Sequence, residues 1–201
     1  MDGEFVSFQA DLIGWAATIN DREEFLRALL DLEPEILHHQ PAPPPKAIDW
    51  AFEYGHTSLL PQLSRIWPVP DEVQYAAGVG DLSRMHAWFD THPHTSQHQL
   101  DTALAYAISN KQFAAADVAL AHGADINTNW NTHEPASLLH HAVFLDDYEI
   151  MQFLIDRGID MTIEDYRWSG TAWGWAFYAK KDETMANWLK EQERKQEKPL
   201  S

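Results

Sequence analysis

The sequence predicts an all-α fold, a single elongated array of about six stacked helix-turn-helix units, and three observations predict it. First, a large ring followed by alanine recurs along the chain. The pairs are Trp15-Ala16, Trp50-Ala51, Tyr75-Ala76, Tyr106-Ala107, His141-Ala142 and Trp175-Ala176, spaced by 35, 25, 31, 35 and 34 residues. Second, a polar or glycine break and then a second apolar run follow each pair, as Asp146-Asp147 is followed by Ile150, Met151, Phe153, Leu154 and Ile155 at helical spacing. Third, a Gly-x-Asp signature closes the better-defined units, at Gly123 and at Gly158. Self-similarity at such a period is the mark of stacked supersecondary units. An alanine is needed where helices cross closely, because a bulkier side chain would push the next layer away.

In chain order the units fall near 11–39, 46–68, 71–94, 100–127, 135–162 and 169–191, with a charged tail at 191–201. The first has Leu12, Ile13, Trp15 and Ala16 in one helix and Phe25, Leu26, Leu29 and Leu30 in the other; as the end of the array it needs a polar outer face. Residues 40–46, QPAPPPK, favour polyproline II and read as a stiff connecting finger. The second unit is short, and Pro61, Pro68 and Pro70 crowd its second helix and exit, so that helix is expected to be short or bent. Asp71 is the expected cap of the third unit's first helix. Gly78-Val79-Gly80 lacks the preceding strand and the lysine of a phosphate loop and reads as the turn between paired helices. Gly158 is expected to stop the second helix of the fifth unit in the left-handed conformation.

These segments carry a resemblance. AHGADIN (121–127), RGIDMT (157–162), EYGH (53–56), VGD (79–81) and SGTAWGWA (169–176) resemble pieces of the ankyrin repeat, most closely in the third to fifth units. No unit keeps the Thr-Pro pair of that repeat, and among the first helices His140 alone occupies the place of its histidine. The resemblance implies a protein-binding module that grips its partner through a concave helix face and extended finger loops. It also implies that His140 makes structural hydrogen bonds between loops.

Composition bounds the function. The net charge is −17, and residues 1–189 hold 28 acids against 10 bases. Such a body repels phosphate backbones, so neither nucleic acid nor an anionic membrane is an expected partner; a protein partner with a basic surface is. No run approaches the length of about 18 apolar residues that a membrane span needs. The start, Met1-Asp2-Gly3-Glu4, is acidic where a secretory leader is basic. There is no cysteine, and the expected location is cytoplasmic.

The groove is expected to be lined by the residues that end each first helix: Thr18 and Ile19, Glu53 and Tyr54, Gly78 and Val79, Ser109 and Asn110, Phe144 and Leu145, Tyr178 and Ala179. Two finger loops, 127–135 and 163–170, carry Trp130 and Trp168 at their tips, with Tyr166 and Arg167 beside the second. The expected partner-binding set is therefore Tyr54, Trp130, Phe144, Leu145, Tyr166, Trp168 and Tyr178, the rival reading of the two tryptophans being rings folded back as packing. No cofactor is expected, and no catalytic motif is present. The alternative is a small-molecule binder or unconventional enzyme whose groove, lined by Trp50, Tyr54, Tyr106, Phe144 and Tyr178, closes into a pocket, with Glu53, Tyr54 and His56 as its acid-base candidates. No metal site is expected; His92, His94 and His98 are close enough in sequence to be weighed as ligands, but their loop holds no acid or cysteine. The paired acids Asp146-Asp147 and Glu164-Asp165 read as turn and cap residues.

Overall fold

The alanine of each ring-alanine pair organises a turn that repeats with the sequence. Ala51, Ala76, Ala107, Ala142 and Ala176 are all buried in a computed structural model, which describes residues 47–65, 68–130 and 136–196. The expected first unit, the proline-rich finger and the groove residues Thr18 and Ile19 lie outside the described residues. The carbonyl oxygen of each alanine accepts the N–H that opens the next helix: His56 at 2.7 Å, Asp81 at 2.9 Å, Gln112 at 2.8 Å, Asp147 at 3.1 Å and Asp182 at 2.9 Å. Immediately before that donor the chain takes a positive φ, at Gly55, Gly80, Lys111, Asp146 and Lys181. The residues with side chains adopt this conformation at a cost that glycine avoids, so the closed turn over-determines it.

The elements follow the predicted order. Helix α1 (Ala47–Glu53) is followed by a 3-10 turn (Thr57–Leu59) and the short α2 (Leu60–Leu63), as the prolines require. Helices α3 (Val73–Gly78) and α4 (Leu82–Thr91) form the next pair, then α5 (Gln97–Ser109) and α6 (Phe113–Ala121), then α7 (Leu138–Phe144) and α8 (Tyr148–Asp156). The last pair is α9 (Ala172–Gly174), continued by a π-helical turn (Trp175–Ala179), and α10 (Glu183–Gln196). The π turn absorbs one extra residue, which is why Lys181 stands five residues beyond its alanine where the preceding units use four.

Capping follows local chemistry. Asp81 accepts from Arg84 N, Asp147 from Glu149 N and Ile150 N, and Ser96 forms a capping box with Gln99. Asp71 does not cap: α3 starts at Val73 after Glu72, and Asp71 pairs with Arg84 at 2.8 Å instead. Gly158, at φ +80°, ends α8 as expected. The fingers hold the few strand residues among those described. Strand β1 (Asn129–Trp130) pairs antiparallel with β2 (Ala136–Ser137), and Glu164 bridges Thr171. Finger loops are tied in series, Asp101 accepting from Asp125 N at 2.8 Å and Asn127 Oδ1 from Asp160 N at 2.8 Å.

Most buried side chains form one core running from Val73 to Leu189. A second cluster sets the position of α1. Ile48, Ala51 and Phe52 of α1 pack with Leu59, Leu63, Tyr75 and Tyr106. In a stack of repeats each layer touches only its neighbours, but α1 touches three successive pairs. The Phe52 ring stacks on Tyr106 of α5 and stands edge-on to Tyr75 of α3, each at 5.3 Å. Asn110 Nδ2 donates to Phe52 O at 2.6 Å, and His141 of α7 donates to Glu53 O at 2.8 Å. The segment expected as the second layer therefore lies across the ends of three first helices.

Candidate functional site

The placement of α1 divides the predicted groove into a covered part and an open part. Ser109 is buried, and Asn110 is spent on the α1 carbonyl. Tyr54, just beyond α1, is half-buried and stands edge-on to His141 at 5.9 Å and to Phe144 at 6.1 Å. Past this point the first-helix ends are open: Phe144 is 54 % exposed and Tyr178 71 %. Leu145 is half-buried against the main core. Lys180 Nζ bonds the carbonyls of Val143 and Phe144 at 3.1 and 2.9 Å and pairs with Asp146, which fixes the turn that presents Phe144. Tyr178 rests edge-on against Trp173 and Phe177.

His141 is buried, and burial pushes its pKa down to about 4, against the opposing pull of its bond to Glu53 O. It is neutral near pH 7, and because a carbonyl can only accept, its proton sits on Nε2. His140 makes the bonds between loops that were expected. Its Nδ1 lies 2.8 Å from Ser137 Oγ and its Nε2 donates to Gly170 O at 2.9 Å, while burial lowers its pKa.

The finger between Glu164 and Thr171 is built on one carboxylate. Asp165 is buried, and its Oδ1 accepts from Arg167 N at 2.9 Å and Trp168 N at 2.7 Å. Its Oδ2 accepts from Gly170 N and the Trp175 indole, both at 2.9 Å. Burial pushes this carboxyl up, but the four donors outweigh it and hold it below the ordinary carboxylate range. On this frame Tyr166 is 85 % exposed and Trp168 63 %, with the Arg167 guanidinium 5.2 Å from the Trp168 ring. Trp130 behaves otherwise. It is half-buried, edge-on to Tyr106 at 6.0 Å, so the ring expected at a finger tip folds back as packing, while residues 131–135 lie outside the described ones.

A cleft of about 570 Å³ opens between α1, α3, α5 and β1. Trp50, Glu53 and Tyr106 line it; Tyr54, Phe144 and Tyr178 do not, so the rings named for a closed pocket are split between two places. Glu53 lines the cleft, and Tyr54 and His56 are not among its lining residues. The three loop histidines do not converge: the His92 ring stacks on Trp88 at 3.8 Å, and among the described residues no group of three His, Cys, Asp or Glu is placed to hold a metal ion.

Comparison with known families identifies the repeat. Residues 73–165 match the family model of ankyrin repeats (3 copies). This stretch carries ankyrin repeats. It spans the three helix pairs from α3 to α8 and ends at Asp165, within the last finger. No curated protein matches the chain. Ankyrin repeats are generally protein-interaction modules. Among the described residues no helix is long and apolar enough to cross a membrane. The ankyrin resemblance singled out Phe144, Tyr178 and Trp168 by their repeat positions. It gave no signal for Asp49, which joins two repeats by accepting from Tyr75 Oη at 2.7 Å and Tyr106 Oη at 3.2 Å.

Proposed function

We propose that this chain is a protein-binding module, not an enzyme, which grips a partner through the open end of its first-helix face and through its last finger. Phe144, Leu145 and Tyr178 would form one contact, and Tyr166 with Trp168 the other, with Tyr54 at the rim beside Phe144. The observation that carries this reading is the exposure of four large rings, Phe144 and Tyr178 at the ends of first helices and Tyr166 and Trp168 on the finger held by Asp165. Exposed apolar rings on a rigid frame lose little entropy on binding and are the usual anchors of interfaces. The net charge of −17 favours a partner with a basic surface, steered by the field of the array.

The test is a quantitative capture from the native cell extract with wild type beside Trp168→Ala and Phe144→Ala, each variant checked by circular dichroism. The reading requires a captured protein whose recovery falls with both substitutions while the fold is retained. Unchanged recovery with both variants, or loss of fold with either, overturns it.

A further inference from the structure

We propose that α1 is a displaceable strap, and that the first-helix face beneath it accepts in its place a helix of the same design from a partner protein. That design is a short helix whose C-terminal end carries an aromatic residue, with an aspartate one turn before it, as Asp49 precedes Phe52. The inference goes beyond the exposed rings of the last two units, and its failure leaves that reading untouched.

α1 is an addition to the array and not one of its layers. The ankyrin stretch begins at Val73, and the main core, from Val73 to Leu189, contains no residue of α1. Ile48, Ala51 and Phe52 are buried in a separate cluster, to which the array lends the rings of Tyr75 and Tyr106. Pro68 and Pro70 lie in non-helical chain between α2 and α3, where neither can donate a helical hydrogen bond, so α2 does not run on into the array.

The contact has a direction: the array supplies the donors and α1 the acceptors. Tyr75 Oη and Tyr106 Oη donate to Asp49 at 2.7 and 3.2 Å, Asn110 Nδ2 to Phe52 O at 2.6 Å, and His141 Nε2 to Glu53 O at 2.8 Å. The last carbonyls of any helix lack an intrahelical partner, so Asn110 and His141 read a helix end whatever its sequence. The phenols add the requirement for an acid. Burial, reinforced by the Asp49 charge, raises the pKa of both above the ordinary tyrosine value, so they remain neutral donors.

The requirement for a ring comes from Gly78. A Cβ there would stand 2.2 Å from Phe52 Cδ1, while Tyr106 stacks on the Phe52 ring and Tyr75 stands edge-on to it, each at 5.3 Å. A slot whose floor is a helix without a side chain, and whose walls are two rings, takes a planar ring. Ile48, Asp49, Ala51 and Phe52 fall on one face of α1, the pattern by which a helix is held on an apolar face.

The experiment measures fluorescence anisotropy of a labelled peptide of residues 47–56 against the full chain, beside a control peptide carrying Phe52→Ala. In wild type the face is hidden by α1, and the apparent affinity falls with the fraction of open molecules; the full-chain Phe52→Ala variant loses the plug and keeps the slot. The peptide is expected to bind that variant saturably and about tenfold or more tighter than wild type, and the control peptide to bind about tenfold or more weaker. Adding Gly78→Ala to the variant fills the slot and is expected to abolish binding while the chain stays folded. In wild type, hydrogen exchange compares two equivalent turn amides, His56 N on Ala51 O and Gln112 N on Ala107 O. Protection at His56 is expected to be about tenfold or more lower, because the strap opens without the array. No saturable binding to Phe52→Ala, equal binding of the control peptide, binding undiminished by Gly78→Ala, or equal protection at His56 and Gln112 overturns the inference. So does melting of the array in Phe52→Ala, which makes α1 an integral layer, or a stable wild-type dimer in light scattering, which seats a second copy's α1 on the face.

Discussion

One buried carboxylate holds the last finger, and its removal has a specific signature. Asp165 is the acceptor for three backbone N–H groups and the Trp175 indole. Asp165→Ala leaves those donors without a partner, and the expected loss is about 2–3 kcal/mol in urea denaturation at pH 7. The folded-state pKa is depressed, so the carboxylate contributes fully above its unfolded value, near 4, and the contribution disappears as pH falls through the lower folded value. The gap between wild type and variant should therefore narrow below about pH 4. His141 acts in a different window. Its folded pKa of about 4 lies below the ordinary value of 6.5, so the neutral ring favours the fold above 6.5 and that stability is lost as pH falls toward 4. Relative to His141→Leu, wild type should lose about 3 kcal/mol between those values, and a flat difference would show that the ring is hydrated or already charged.

At the scale of elements, two small residues decide how helices meet. A Cβ on Gly78 would stand 2.2 Å from Phe52 Cδ1, a ring already wedged between Tyr75 and Tyr106. In an open helix Gly→Ala stabilises by about 1 kcal/mol. Here overpacking, typically about 1–3 kcal/mol, reverses the sign, and Gly78→Ala is expected to destabilise. In a Phe52→Ala background the same substitution should stabilise, and a double-mutant cycle measures the difference. Ala142 has no exposure, and its carbonyl receives Asp147 N, so Ala142→Leu is expected to cost a similar amount by separating α7 from its neighbours. The ring-alanine pairs made these crossings legible. Nothing in the spacing said that α1 would leave its layer, because the local turn at Gly55 obeys the same rule as the turns that stack.

Across the whole molecule the surface is divided between units. Phe52 and the rest of α1 cover Gly78, Ser109 and Asn110, whereas Val79, Phe144 and Tyr178 are exposed to solvent. Under the proposed function, Trp168→Ala and Phe144→Ala each weaken the partner by about 1–2 kcal/mol or more with a melting temperature near wild type. The two finger tryptophans show where sequence reasoning stops. Both follow a Gly-x-Asp signature, yet Trp130 turns onto Tyr106 and Trp168 stays 63 % exposed. The cleft was no more legible, since Asp49, Tyr75, Tyr106 and Trp130 come from four elements up to 81 residues apart. By itself the sequence determined the period, the helix pairs, the turn residues and the ankyrin resemblance, because each depends on contacts within about one unit of chain. Only the tertiary structure decided which rings are walls and which are surface, since that depends on a long-range docking of α1 whose cause, a Phe52 ring fitting over a glycine, has no periodic trace.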